Sequence, residues 1–268
     1  LVLFAATRLR VGARRLRALA RGDAAGVRDF VQNDSARRLA EARRDARRDL
    51  ESMQAAGAYM VTMADAAYPN GLHELADPPA YLCVRGTLPE QGVAVIGTRT
   101  PTEASAAYAH HLASLLRVPI VSGLALGIDA AAHRGALAAG MPTIAYVATG
   151  IARTYPPEHV ELADDIVAAG GAVASEYLPD AGPAAWTFVR RDRLQAAHAA
   201  AVVLVQSELD GGAMHAMEIA VALGRNRFAL LSNGEAAFAG NALAIFRGAG
   251  VLSADPALAA CAIAHVTK

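Results

Sequence analysis

Four apolar runs of this chain each end in a turn that carries glycine. They are VAVIGTR ending at Arg99, PIVSGLALGID ending at Asp129, TIAYVATG ending at Gly150 and AVVLVQSELDGG ending at Gly212. A chain that leaves a strand through glycine lets backbone N–H groups come close to a phosphate, because no Cβ stands between them. Several such exits along one sheet edge would form a composite anion cleft. The natural client of such a cleft is a nucleotide or a nucleic-acid backbone.

The side chains around these turns suggest more than one chemistry. Gly97, Thr98 and Arg99 hold a single glycine where a dinucleotide fingerprint needs G-x-G-x-x-G, so NAD or FAD in the usual mode is not expected. Arg99 at a strand end is placed to grip a phosphate with two N–H groups; the plainer alternative is an ion pair with Glu103. After the second run come Ser122, Gly123, Gly127, Asp129 and His133. Asp129 and His133 lie one helical turn apart and would suit acid–base work. They would equally suit a helix-capping Asp and a His packed on the same face, and no G-x-S-x-G nucleophile elbow accompanies them. The segment FVRRDR places Phe188, Arg190, Arg191 and Arg193 just after the one tryptophan, Trp186. Rings to stack on bases and cations to follow a backbone are what an unpaired polynucleotide requires. The bland counterpart is a core Phe with the arginines at a helix start, and Asp192 lowers the local positive field. Gly211 and Gly212 open a predicted helix and so offer a phosphate seat. Beyond them, Met214, Met217, Ile219, Val221 and Leu223 read as core or as a subunit contact, and His215 as solvated or packed.

The elements that must position these residues follow from periodicity. Residues 1–57 read as helical, with apolar residues at three- and four-residue spacing, breaks near Gly22 and Gly26, and one long helix from Ser35 to Ala56 whose Glu41–Asp49 stretch gives a mixed-charge outer face. Residues 58–92 read as a connector with short strands at AYMVTM and YLCVRG. Residues 93–268 alternate apolar strands (VAVIG, PIVSG, TIAYVA, the second half of IVAAGGAVASEY, AVVLVQ, RFALLS) with helices predicted at 102–117, 129–139, 158–169, 190–199 and 213–223. The tail reads as helix, short strand and helix. The expected fold is therefore α/β: a doubly wound, mostly parallel sheet with a small N-terminal helical domain. In such sheets ligands sit at the carboxyl ends of the strands, where all four glycine turns fall.

Composition narrows the function classes. The chain has 268 residues, 54% hydrophobic and 19% charged, enough to bury a sizeable core. Cys83 and Cys261 lack metal-ligand spacing and read as ordinary thiols of a reducing, cytoplasmic protein, with no metal and no cofactor expected. No run of about 18 apolar residues suggests a membrane span, and the apolar start precedes its first Arg, the reverse of a signal peptide. The chain begins at Leu1, which leaves a native start upstream open. Net charge is zero, yet residues 1–50 hold thirteen Arg against six acids, +7, so the remainder is −7. Because acids interleave with them, these arginines read as a solvated helix face.

Taken in order, these segments resemble the DNA-processing protein A (DprA/Smf) family. VSGLALGIDAAAHRGAL is the most specific match, similar to the family's SG-x-A-x-GID-x-x-AH-x-GAL block. YPNGLHELADPPAYLCVRG, VAVIGTRTPT, ATGIARTYPPEHVEL, ASEYLP, FVRRDR, GGAMHAMEIAVALGR and GNALAIFRGAGVL resemble other family segments. The resemblance implies a sterile-alpha-motif-like helical domain before the Rossmann-like one, a homodimer, no catalytic residue, and a single-stranded DNA-binding role that protects incoming DNA and loads RecA in natural transformation and recombination. It places DNA binding at Arg99, Phe188, Arg191 and Arg193, shaped by Ser122, Gly123, Gly211 and Gly212. Departures are visible: Val189 stands where the family has Pro, Asp192 where it has Asn, and Gly211-Gly212-Ala213 and Ala216 lack the expected hydroxyls. An alternative is a nucleotide-processing Rossmann enzyme related to phosphoribohydrolases, whose PGG-x-GT-x-x-E loop Gly211, Gly212 and Glu218 partly echo. A third reading is a module that dimerises through its small-residue tail and binds no DNA.

Overall fold

A computed structural model describes residues 1–23, 34–231 and 234–267. Gly26 and Ser232, which the sequence reading used, lie outside the described residues. Among the described residues three helices come first: α1 (Val2–Arg8), α2 (Ala13–Ala20) and α3 (Ala36–Ala55). Gly22, in the left-handed region at φ 80°, follows α2. The Ser35 side chain accepts from the Arg38 N–H and caps α3. Asp49 does not join an outer charged face: it is buried and accepts two hydrogen bonds from Arg8, at 2.9 and 2.5 Å. Burying a carboxylate is tolerated only with such a partner, so this pair pins α1 to α3. Phe4 packs edge-on against Tyr81, 5.6 Å between ring centroids, and carries the N-terminal helices onto the sheet.

Among the described residues the sheet has nine strands in the order β1-β2-β6-β5-β4-β3-β7-β8-β9. They are β1 (Tyr59–Thr62), β2 (Tyr81–Gly86), β3 (Gly92–Ile96), β4 (Ile120–Ser122), β5 (Thr143–Tyr146), β6 (Ala172–Ser175), β7 (Ala199–Leu204), β8 (Asn226–Leu230) and β9 (Gly250–Leu252). The pairs from β6 through β9 are parallel, and β1 and β2 add an antiparallel edge beyond β6. All residues of β3, β4, β5 and β6 are buried, as strands covered on both faces must be. Alternation along β3 and β7 divides the core. Val93, Val95, Ala201 and Val203 meet α4 (Glu103–Leu115), α5 (Ile128–Ala138) and α10 (Pro256–Val266). Ala94, Ile96, Val202 and Leu204 share the other core with α7 (Ala185–His198) and α8 (Ala213–Ala222). Two further helices, α6 (Val160–Ala168) and α9 (Ala239–Phe246), complete the described set.

Chain order and strand order together locate the site. From β3 the chain winds outward through β4 and β5 to β6, then returns to lay β7 on the other side of β3 and winds out to β9. The crevice between β3 and β7 is thus the topological switch point, where adjacent loops diverge and leave room for a ligand. The returning element is α7. It runs into β7 with no linker, so its last turn lies at the amino end of that strand and its first turns lie toward the carboxyl edge. It begins at Ala185, five residues before the expected start at Arg190, so FVRRDR is helix from end to end.

Candidate nucleic-acid interface

A cleft of about 320 Å³ opens at the switch point. Its walls include Gly97 and Arg99 beyond β3, Ala125 and Asp129 after β4, Phe188, Arg191, Asp192 and Gln195 on α7, and Gly212 and Ala213 at the start of α8. Arg99 and Arg191, far apart in sequence, line one space.

Each wall is held by backbone bonds that its sequence makes possible. The loop carrying Arg99 is tied to the exit of β7: Thr98 N–H donates to Gln206 C=O at 2.8 Å, and Thr102 N–H to Gln206 Oε1 at 2.9 Å. Gly127, at φ 78°, lies against the Thr98 and Arg99 carbonyls, where a side chain would collide. Asp129 is buried and caps the preceding loop rather than the helix, accepting from the Gly123 and Ala125 N–H groups at 3.1 and 3.3 Å. The turn before α8 is anchored by buried Asn241, which accepts from Ser207 N–H at 2.9 Å and donates to the carbonyls of Leu204, Val205 and Leu230. Asn241 was not among the site residues expected from the sequence; the GNALAIFRGAGVL segment that carries it was its signal. Met214 and His215 N–H groups are already bonded to Gly211 and Gly212 carbonyls. Gly212 and Ala213, ahead of those bonds, are the residues of this turn that line the cleft.

Helical periodicity sorts the residues of FVRRDR. Phe188, Arg191, Asp192 and Gln195, spaced i, i+3, i+4 and i+7, face the cleft. Arg190 and Arg193 face the β2–β6 side instead. Arg193 makes a bidentate pair with Glu176 at 3.0 and 2.7 Å, and Arg190 bonds Asp77 at 2.7 Å. Arg193, which the sequence reading set at the DNA site with Arg99 and Arg191, therefore does not line the cleft. Ser122 is likewise spent, its hydroxyl donating to Val95 C=O at 2.7 Å. Gly211 sits against the Ser207 hydroxyl beside the cleft rather than on its wall, and Gly150 is packed under the Leu178 and Pro179 carbonyls away from it.

The electrostatics of the cleft are mixed. Arg99 is exposed, its guanidinium 4.6 Å from the Phe188 ring centroid, a cation–π stack that fixes both at the rim. Arg191 is buried on the floor, 3.9 Å from Asp129 and 3.6 Å from Asp192. Its guanidinium occupies the space a Gly123 side chain would need, and Gln195, with its amide oxygen turned toward Gly123 N–H at 2.9 Å, accepts from Arg191 as well. Burial pushes the Asp192 carboxyl up to about 6; Arg191 opposes this and nearby Asp129 adds to it. Burial also raises Asp129, again against the pull of Arg191. His133 does not pair with Asp129. Thr143 Oγ1 donates to Ile120 C=O, so the His133 Nδ1–H donates to Thr143 Oγ1 at 2.7 Å, and burial pushes the ring down to about 3. Among the described residues no cluster of His, Cys, Asp or Glu could hold a metal ion. The arrangement suits an anion at Arg99 and the α8 amides, with an aromatic ring alongside.

Comparison with known proteins gives this cleft a setting. The family model for DNA recombination-mediator protein A matches residues 59–261. Protein Smf of Synechocystis is 34% identical over 191 residues, covering 68% of this chain and 48% of the relative. The DNA processing protein DprA of Bacillus subtilis is 32% identical over 190 residues, covering 68% and 64%. The chain spans about half to two thirds of the length of such curated relatives. Among solved structures, DNA processing protein A of Streptococcus pneumoniae superposes with a TM-score of 0.78 at 26% identity, covering 93% of each chain. DNA processing protein A of Helicobacter pylori, solved for its single-stranded DNA binding mode, gives 0.68 at 27% identity, covering 78% of this chain and 98% of that one.

Proposed function

The chain belongs to the DNA recombination-mediator protein A family, and from that membership we propose that it binds single-stranded DNA in the switch-point cleft, as a binder rather than an enzyme. The observation that carries this reading is the Arg99–Phe188 stack at the rim, beside the first amides of α8. A backbone phosphate lodges between the Arg99 guanidinium and the Gly212 and Ala213 N–H groups, where charge and helix dipole both favour it. Phe188 offers its ring to a base. Arg191, neutralised by Asp129 and Asp192, keeps the floor polar and holds α7 against the β4 exit rather than meeting phosphate itself.

The enzymatic alternative would draw on Glu218. Glu218 is 61% exposed and pairs with Arg247 at 3.6 Å, and it is not among the residues lining the cleft. His133 is neutral and buried. In the wider reading residues 1–57 are a helical N-terminal unit, 58–92 a connector and 93–268 the DNA-binding domain. The protein acts in the cytoplasm as a homodimer, built on the open β9 edge where Phe246, Val251 and Leu258 are exposed. It protects incoming strands and passes them to a RecA recombinase.

A fluorescence-anisotropy titration of labelled single-stranded and duplex oligonucleotides, at two salt concentrations, tests the proposal. Single strands are expected to bind tighter, with affinity falling as salt rises through counterion release. Arg99→Ala is expected to weaken binding about tenfold and to reduce the slope of log K against log salt by about 0.7. Equal affinity for duplex, or an Arg99→Ala protein that binds like the parent, overturns it.

A further inference from the structure

The back of α7 is gripped as closely as its cleft face. Trp186, Arg190 and Arg193 lie along it at four- and three-residue spacing. Trp186 and Arg190 border a groove of about 190 Å³ between α2 and α7, whose other walls include Arg17 of α2, Asp77 ahead of β2 and Tyr177 after β6. Charged side chains run through it in series. Arg17 donates to one Asp77 carboxylate oxygen at 2.5 Å and Arg190 to the other at 2.7 Å. Arg190 also comes within 3.6 Å of Glu176, the carboxylate that holds Arg193. The Tyr177 hydroxyl donates to the Thr187 carbonyl at 3.1 Å, and its ring meets Trp186 edge-on at 5.8 Å. Asp77 is itself well aimed. Pro78 follows it, which keeps its backbone extended, and the next carbonyl, that of Pro79, accepts from the buried Tyr68 hydroxyl at 2.7 Å.

We propose that Asp77 is a positioning residue for the DNA cleft: by bridging Arg17 to Arg190 it ties the N-terminal helices to α7 and holds Phe188 and Arg191 at the switch point. The inference rests on the single-strand reading above and adds the N-terminal helices to it, through a residue that does not line the cleft. Phe188 and Arg191 share their turns of α7 with Trp186 and Arg190, so a rotation that releases Arg190 carries both of them along. Arg191 has no slack to absorb such a rotation, because its guanidinium already fills the space beside Gly123. Asp77 and Arg190 are each 42% exposed, so their pair alone adds little to stability. Its effect lies in sharing. Without Asp77, Arg190 keeps only Glu176, which Arg193 already occupies with two bonds, and α2 loses its bond to the segment that steadies α7.

The sign of the Asp77→Asn effect tests the proposal. An acid that acted only as a surface charge would, once removed, leave the protein more attractive to a polyanion. Positioning predicts the reverse: in anisotropy titrations Asp77→Asn should weaken single-strand binding about threefold to tenfold. The salt slope should stay at the parent value, because no phosphate contact is lost. Asp77→Glu should restore most of the affinity. Arg17→Gln together with Asp77→Asn should bind no more weakly than Asp77→Asn alone, since both break one bridge. Trp186 is the one tryptophan, and its emission should shift in DNA-free Asp77→Asn while the urea midpoint stays near the parent's. Hydrogen exchange needs no variant: saturating single strand should slow exchange in α2 of the parent as well as in α7. If the parent binds, Arg99→Ala weakens it, and Asp77→Asn binds as tightly or tighter with Trp186 emission unmoved, the positioning role falls and the cleft stands. Exchange in α2 that ignores bound DNA overturns it too. If the parent binds no single strand, the underlying reading falls with it.

Discussion

At the scale of residues, Asp192 sets the strength of the cleft. It lies 3.6 Å from Arg191 and is surrounded by Asp129 from α5, His215 from α8 and Arg99 from the β3 exit. Its pKa of about 6 means that at neutral pH it places a negative charge where a phosphate is to sit. A bound phosphate raises that pKa further, so binding takes up a proton. Affinity should then rise as pH falls from 8 toward 6 and level off below 6. Asp192→Asn is expected to bind about tenfold tighter at pH 7.5 and to flatten most of that profile, read by titrations at several pH values. The sequence reading took FVRRDR as nucleic-acid chemistry, but its one-dimensional order did not show which side chains share a face. Successive helical residues point about 100° apart, so Phe188 and Arg191 reach the cleft, while Arg190 and Arg193 serve Asp77 and Glu176.

Elements decide whether those residues are held in place. The start of α7 was misread because Trp186, Thr187, Phe188 and Val189 are β-type residues following Pro183. Thr187 bonds back to Ala184, its Oγ1 accepting from that N–H at 3.2 Å, and tertiary packing does the rest. The turn after β4 carries a sharper constraint. Gly123 is not in the left-handed region; it is glycine because the Arg191 guanidinium fills the space beside it. Gly123→Ala should therefore lower stability by about 1–3 kcal/mol, an overpacking cost. It should also weaken single-strand binding by displacing α7, as paired urea-unfolding and anisotropy experiments would show. In the N-terminal helices, Arg8→Ala strands the buried Asp49 carboxylate and should cost about 2 kcal/mol in urea unfolding, less than a fully buried pair because Arg8 is partly solvated. Arg37→Ala, which removes an exposed pair with Glu41, should cost less than about 0.5 kcal/mol. Interleaved acids had suggested a solvated face for all of these arginines. Burial of Asp49 was not visible because a helix pattern does not say which partner will cover it.

For the whole molecule, alternation of strand and helix was enough to read a doubly wound parallel sheet. The sequence also implied that its glycine exits share one edge. What it could not supply was strand order, since the return of the chain from β6 to β7 depends on long-range pairing. That return makes the β3 and β7 exits neighbours and leaves the Gly150 turn outside the cleft. Unpaired DNA is expected to lie across this switch point, and not along the arginine-rich N-terminal helices. Photocrosslinking of a 5-iododeoxyuridine-substituted single strand, followed by mass-spectrometric sequencing of the labelled peptides, tests it most directly. Adducts on Phe188, lost on competition with unlabelled single strand, are the expected result. Adducts confined to residues 1–57, with Phe188 unlabelled at saturating DNA, would contradict it.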